Sequence, residues 1–152
     1  MRLNTTQFFV LALGFLLITA LTAQPGYAQE RKFINLPPAK GLPFSDGVLA
    51  GNTLYIAGQE GLDESGKLVS GGIAPETKAA LDGIEKVLKA AGLELKDVVS
   101  VTVYLADIHD FPEMNKVYKS VIPDPKPARA TVQVAALVND ARIEIAAIAV
   151  KH

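Results

Sequence analysis

A single arginine, Arg129, carries the strongest chemical signal in the chain. It lies in the run Pro-Ala-Arg-Ala-Thr-Val-Gln-Val at 127–134, which alternates as a β-strand does. Ala130, Val132 and Val134 share one face of that strand, and Arg129, Thr131 and Gln133 share the other. Prolines at 123, 125 and 127 stiffen the approach, so the guanidinium enters from a restricted set of directions. A guanidinium held in this way can grip a carboxylate through two parallel hydrogen bonds. The same pattern also fits a surface strand with one solvated arginine. Two further side chains bear on the choice. Asn115 falls on the apolar stripe of a helix formed with Phe111, Met114, Tyr118 and Val121. A buried amide there needs partners or costs about 1–3 kcal/mol, and a neighbouring backbone carbonyl is the plain way to satisfy it. Glu144 shares a strand face with Ala146, Ile148 and Val150, so it stands either at an exposed strand start or facing a pocket. Burial would raise its pKa and a nearby arginine would lower it. Antiparallel pairing of the last two strands would place Arg129 and Glu144 on a common face.

The elements that must position these residues are legible in order. Residues 30–42 lack periodicity and carry Pro37-Pro38, which reads as a lead-in segment. A strand over 43–50, a Gly51-Asn52 turn and a second strand over 53–59 form a hairpin. Gly58, near its end, leaves room for another group to approach closely. A polar loop over 61–72 carries a short strand at Leu68-Val69. The first helix opens near Pro75 and Glu76, buries Leu81, Ile84, Leu88 and Ala91, and stops at Gly92. Residues 98–106 form a central strand with Val99, Val101 and Val103 on one face and Val98 and Thr102 on the other. Asp110 and Glu113 are spaced as a capping box for the second helix. The strand of Arg129, a loop over 137–141 and a last strand over 142–150 close the domain. Two helices returning to one sheet imply an α/β layer with both helices on one face. The other face stays apolar and open, as at an oligomer interface.

Composition narrows the chemistry. The chain has 152 residues, 49% of them hydrophobic and 20% charged, which suits one folded domain. Arg2 is the only charge before Glu30, and residues 8–21 are almost wholly apolar. That run has the length of a signal-peptide core and is short for a membrane span. Gly26-Tyr27-Ala28 supplies small residues at a cleavage site, so residues 1–28 are read as a signal peptide removed after Ala28. An uncleaved anchor is the alternative. Export to the periplasm or beyond, with no membrane attachment after cleavage, follows from that reading. The mature chain then holds 14 basic and 16 acidic side chains, a net charge of −2. A mildly acidic surface without a basic run argues against a nucleic-acid partner. The chain has no cysteine, which excludes thiol catalysis, and its two histidines, His109 and His152, make a histidine metal site unexpected.

Taken together, residues 43–150 resemble the RidA/YjgF family of reactive-intermediate deaminases. The resemblance rests on Pro43-Phe44-Ser45, Ile56-Ala57-Gly58-Gln59, the Ala90-Ala91-Gly92 helix end, and 101–107 followed by Asp110-Phe111, Asn115 and Tyr118. Pro127-Ala128-Arg129, Ile143-Glu144-Ile145 and Ala147-Ile148-Ala149 complete it. The order and spacing of these pieces are more specific than any one of them. The resemblance implies a chorismate-mutase-like mixed sheet with two helices on one face over 43–152, with 29–42 as lead-in. It implies a homotrimeric barrel with sites between subunits, and hydrolysis of small enamine or imine carboxylates to 2-keto acids and ammonia without metal or cofactor. It places Arg129 on the substrate carboxylate, Glu144 as the acid that orients water, and Asn115 beside the pocket. Phe44, Gly58 and Thr131 fall on its substrate-binding positions. A trimer that binds small carboxylates without turning them over, or one that protects other proteins, is the alternative. This sequence departs from the family pattern at four places. Phe44 replaces a frequent tyrosine, Thr131 a cysteine, Ala146 a glutamate and Asp46 a glutamine. An Asp46 carboxylate turned into the pocket would repel an anionic substrate.

Overall fold

Residues 29–37, 41 and 43–152 are described by a computed structural model. The signal peptide expected over 1–28 lies outside the described residues. Six strands form one sheet: β1 (Arg31–Ile34), β2 (Gly47–Ala50), β3 (Thr53–Glu60), β4 (Val98–Leu105), β5 (Ala128–Gln133) and β6 (Ile143–Val150). Their order across the sheet is β1-β2-β3-β6-β4-β5. All neighbours are antiparallel except β4 and β5, which run parallel. Helices α1 (Ile73–Ala91) and α2 (Phe111–Val121) cover the face that carries Leu54, Val101, Val103, Ile143 and Ile145.

Helix α1 follows its sequence pattern closely. Leu81, Ile84, Leu88 and Ala91 are buried, with Thr77, Ala80 and Val87 widening the stripe. Each large aliphatic side chain buried there contributes about 1.5–3 kcal/mol. Gly92 ends the helix at φ 76°, ψ 34°, a left-handed geometry that costs glycine nothing. Helix α2 starts differently from expectation. The Asp110 carboxylate makes no capping bond; it accepts from Arg142 Nη1 at 2.9 Å instead. The capping role moves one turn earlier, where Asp107 Oδ1 accepts from the His109 amide at 2.9 Å.

Five strand expectations need correction, the first being the strand read over 43–50, which begins only at Gly47. The segment read as an unstructured lead-in contains β1, which pairs along β2. Backbone bonding stabilises it, a contribution that side-chain periodicity does not report. The short strand at Leu68-Val69 reduces to one bridge between Leu62 and Leu68. In β4 the register shifts between Val98 and Ser100. Val98 therefore joins Val101 and Val103 in the core and Val99 is exposed, as a bulge requires.

The largest correction concerns the last two strands, which form no hairpin. β6 inserts between β3 and β4, and β5 lies at the sheet edge beyond β4. The physical reason is composition. β6 is apolar on nearly every position, and such a strand gains most from a central slot. β5 carries Arg129, Thr131 and Gln133 on one face, which an edge tolerates better. The connection passes over the end of β4, where Val134 N donates to Leu105 O and Ala106 N to Arg142 O, each at 2.9 Å.

The face away from the helices is open and apolar, as the pattern implied. Phe33, Tyr55 and Val132 are 60%, 52% and 44% exposed. The cross-strand register sets Phe33 beside Val48, Tyr55 beside Ile148, and Thr102 beside Ala146. Ala146 lines a shallow hollow there with Tyr55, Ser100, Thr102 and Ile148.

Candidate functional site

Arg129 pairs with Val101 across the parallel β4–β5 ladder. Directly opposed residues share a face, so its side chain points to the helix layer. There α2 presents Phe111, Asn115 and Tyr118 at spacings of four and three, a single helical stripe. The guanidinium lies 4.4 Å from the Tyr118 ring centroid and 5.7 Å from that of Phe111. Cation–π attraction of about 0.5–2 kcal/mol favours each such placement. Arg129 Nη2 donates to Asn115 Oδ1 at 2.9 Å. The amide on the buried stripe thus serves the arginine, not a backbone carbonyl. No carboxylate pairs with Arg129 among the described residues.

Two hydroxyls near this guanidinium lack partners. Tyr118 Oη and Thr131 Oγ1 are buried and make no hydrogen bond among the described residues. Thr131 follows Arg129 on the same face of β5, opposite Val103. Burial raises the Tyr118 pKa, and the Arg129 charge offsets part of that rise. A half-buried, unneutralised cation beside two orphaned hydroxyls is costly for folding alone. It is complementary to an anion with several acceptor oxygens.

Glu144 is elsewhere. It stands opposite Tyr104 on β4 and Glu60 on β3, on the open face of the sheet. Its carboxylate lies against Gly58, where any Cβ would collide with it. Burial first, and the nearby Glu60 second, raise its pKa above the ordinary carboxylate value. Phe44 is exposed ahead of β2, close to the Gly58 end of β3, because Ala57 N donates to Asp46 O at 2.9 Å.

The expected residues therefore form two groups: Arg129, Asn115 and Thr131 under α2, and Glu144 and Gly58 on the bare face near Phe44. The common face anticipated for Arg129 and Glu144 is not formed. Strands β5 and β6 flank β4 and are about 10 Å apart, with these two side chains on opposite faces. Asp46 is also settled. Its Oδ2 accepts from the Leu36 amide at 2.7 Å, so the carboxylate tethers the segment that follows β1. Sequence reading placed Phe111 and Tyr118 only in the core and passed over Glu60. The spacing of Phe111, Asn115 and Tyr118 was the available signal for the first two.

A mixed sheet with two helices on one face, an arginine without a carboxylate partner among the described residues beneath the second helix, and a bare apolar back define the class of α/β domain to which the chain belongs. The chain belongs to the RidA/YjgF family: the family described as Endoribonuclease L-PSP matches residues 35–151. The human 2-iminobutanoate/2-iminopropanoate deaminase is 48% identical over 124 residues, 80% of this chain and 90% of that protein. The Escherichia coli YjgF gene product has the same fold, with a TM-score of 0.75 and 34% identity, over 80% of this chain and 99% of that one. Escherichia coli TdcF, solved with bound serine, gives a TM-score of 0.74 and 31% identity over 80% and 99%.

Proposed function

We propose that this protein hydrolyses small enamine and imine carboxylates, of the 2-aminoacrylate and 2-iminopropanoate type, to 2-keto acids and ammonia. The observation that carries this reading is Arg129. It is held by Asn115 and Tyr118 and, among the described residues, has no carboxylate partner and is flanked by the unpartnered hydroxyls of Tyr118 and Thr131. The names of the close relatives and the serine held by TdcF fit a site for a small amino-acid-like carboxylate. An imine carbon is already electrophilic, so the protein has mainly to anchor the substrate and place water beside it. Such positioning supplies up to about 7–11 kcal/mol in favourable systems. Water adds to the imine carbon while Glu144 takes one of its protons and returns it to nitrogen, giving a carbinolamine. The carbinolamine hydroxyl proton then passes through Glu144 to the same nitrogen as the C–N bond breaks, the C=O bond forms and ammonia leaves.

One chain does not bring Arg129 and Glu144 together, and the bare sheet face needs cover. Both features support a homotrimer in which Arg129 of one copy meets Glu144 of the next. The test is complementation between two disabled variants. Arg129→Ala and Glu144→Gln, each inactive alone, are unfolded together, refolded as mixed trimers and assayed for keto acid. Random mixing restores about a quarter of the wild-type rate when sites span two copies. Mixed trimers that stay inactive would sink the shared site. A wild-type trimer that releases keto acid no faster than buffer would sink the deaminase itself, leaving a carboxylate-binding module. The family's endoribonuclease description finds little support in the mature net charge of −2.

The apolar run at 8–21 and the small residues ending at Ala28 support export of this deaminase to the periplasm or beyond. The mature protein is then expected to begin at Gln29. Intact mass of protein recovered from its native cell envelope or medium checks this, and a chain retaining residues 1–28 overturns it.

A further inference from the structure

Glu60 has no part in the reaction as derived so far, yet it is fixed against the group that does. It ends β3 directly opposite Glu144 on β6, a position that brings the two Cβ atoms to about 5 Å. Like charges facing across a ladder repel, so each side chain turns away unless something holds it. Something holds Glu60: Asn139 Nδ2 donates to its Oε2 at 2.9 Å. Asn139 sits in a tight turn where it and Asp140 adopt φ of 57° and 59°. Left-handed backbone at two successive residues other than glycine stores strain and persists where the surroundings demand it. The Glu144 carboxylate lies over Gly58, which has no side chain to oppose it.

We propose that Glu60 is a positioning residue of the deaminase: clamped by Asn139, it holds the Glu144 carboxylate over Gly58 and strengthens it as a base. This rests on the imine-hydrolysis reading and extends it to a residue outside the anchor. The other groups around Glu144 do not perform this task. Tyr104 faces it from β4. Arg142, two residues earlier on the approach to β6, sends its guanidinium to Asp110. Asp140 belongs to the turn that clamps Glu60. Within one copy the raised pKa of Glu144 agrees in direction, with burial as the first cause and Glu60 as the charged group contributing among the described residues. Arg129 of the next copy acts the other way in every variant compared and so leaves the difference made by Glu60 readable. A carboxylate that binds its proton more tightly is a better acceptor for the proton of an attacking water.

The experiment compares Glu60→Gln, Asn139→Ala and the wild-type trimer in two measurements. The first is kcat against pH with 2-iminopropanoate generated in the assay. The second is a carbon-13 titration of the glutamate carboxyls, with the Glu144 signal assigned by its absence in Glu144→Gln. In Glu60→Gln the acidic limb of kcat moves to lower pH, the plateau falls several-fold and KM holds. Asn139→Ala moves both in the same direction by less, and the Glu144 midpoint follows. Loss of a merely structural contact would alter melting without moving the limb. A limb in Glu60→Gln that coincides with wild type overturns the proposal, as does a moved midpoint with unmoved kinetics. Should the wild type show no turnover, the deaminase reading falls, and the titration alone decides the pairing. An unchanged Glu144 midpoint then overturns it, and a lowered one upholds it.

Discussion

Replacing Arg129 with alanine is expected to lower kcat/KM for 2-iminopropanoate by about 100-fold or more, with the fold intact. The magnitude follows from the bonds that an anchored carboxylate would lose. A charge-assisted, forked pair is worth roughly 2–5 kcal/mol when it is broken in a partly buried setting, and 2.7 kcal/mol is about two decades in affinity. Saturation binding of a non-reactive carboxylate, such as the serine seen in TdcF, should fail alongside turnover. Arg129→Lys separates charge from geometry. It keeps a cation over Tyr118 but cannot present two parallel N–H groups, so an intermediate loss of about tenfold is expected. Stability behaves differently. Arg129 is half-buried and has no ionic partner among the described residues, so its removal relieves a desolvated charge while losing one bond to Asn115. Melting temperature should change by a few degrees at most. A fully active Arg129→Ala trimer would remove the foundation of the functional reading.

The second large effect is expected at Glu144, and it separates along kcat. Glu144→Gln preserves shape and should leave the anchor, and therefore KM, nearly unchanged. General-base assistance is worth about 10²–10⁴ in rate, and kcat should fall within that range. The pH dependence has a definite sign. Burial and Glu60 raise the Glu144 pKa, so the carboxylate loses its basic form at a higher pH than an ordinary glutamate. In the proposed trimer Arg129 of the next copy acts in the opposite direction, so the limb that Glu144 sets is recognised by its loss in Glu144→Gln and by its move to lower pH when the Glu60 charge is removed. The same shift acts on stability in the opposite sense. Folded Glu144 binds its proton more tightly than in the unfolded chain, so its contribution is fully present below the unfolded pKa. It is lost as pH rises through the folded value. Gly58→Ala offers an independent check, since its methyl would occupy the space of the Glu144 carboxylate. It should reproduce the kcat loss while Glu144 itself is intact. An unaltered rate in both variants would assign the proton transfer to another group.

Local structure was legible wherever a side-chain pattern is sufficient. Leu81, Ile84 and Leu88 announced α1, and Gly92 its end, because burial on one face and a left-handed stop are properties of a few neighbouring residues. The alternation of Ile143, Ile145, Ala147 and Ala149 announced β6 in the same way. The strand β1 escaped notice because Arg31–Ile34 owes its conformation to the backbone of β2. At β4 a bulge exchanged Val98 and Val99, and a one-residue shift cannot be read from a run of valines. The capping pair was misread for a similar reason, since Asp110 had a stronger partner in Arg142, distant in sequence.

By itself, the sequence determined which residues could act: one arginine on an alternating strand, one amide on an apolar stripe and one carboxylate in an apolar run. Residue type, period and spacing are local, and they were enough to single these out and to place the chain near its family. Only the tertiary structure decided who meets whom. The insertion of β6 between β3 and β4 placed Arg129 and Glu144 on opposite faces. Strand order depends on the burial that the whole chain can achieve, and no short window contains that information. The same packing put Asn115 and Tyr118 beneath Arg129, turned Asp46 toward the backbone of Leu36, and set Glu60 against Glu144.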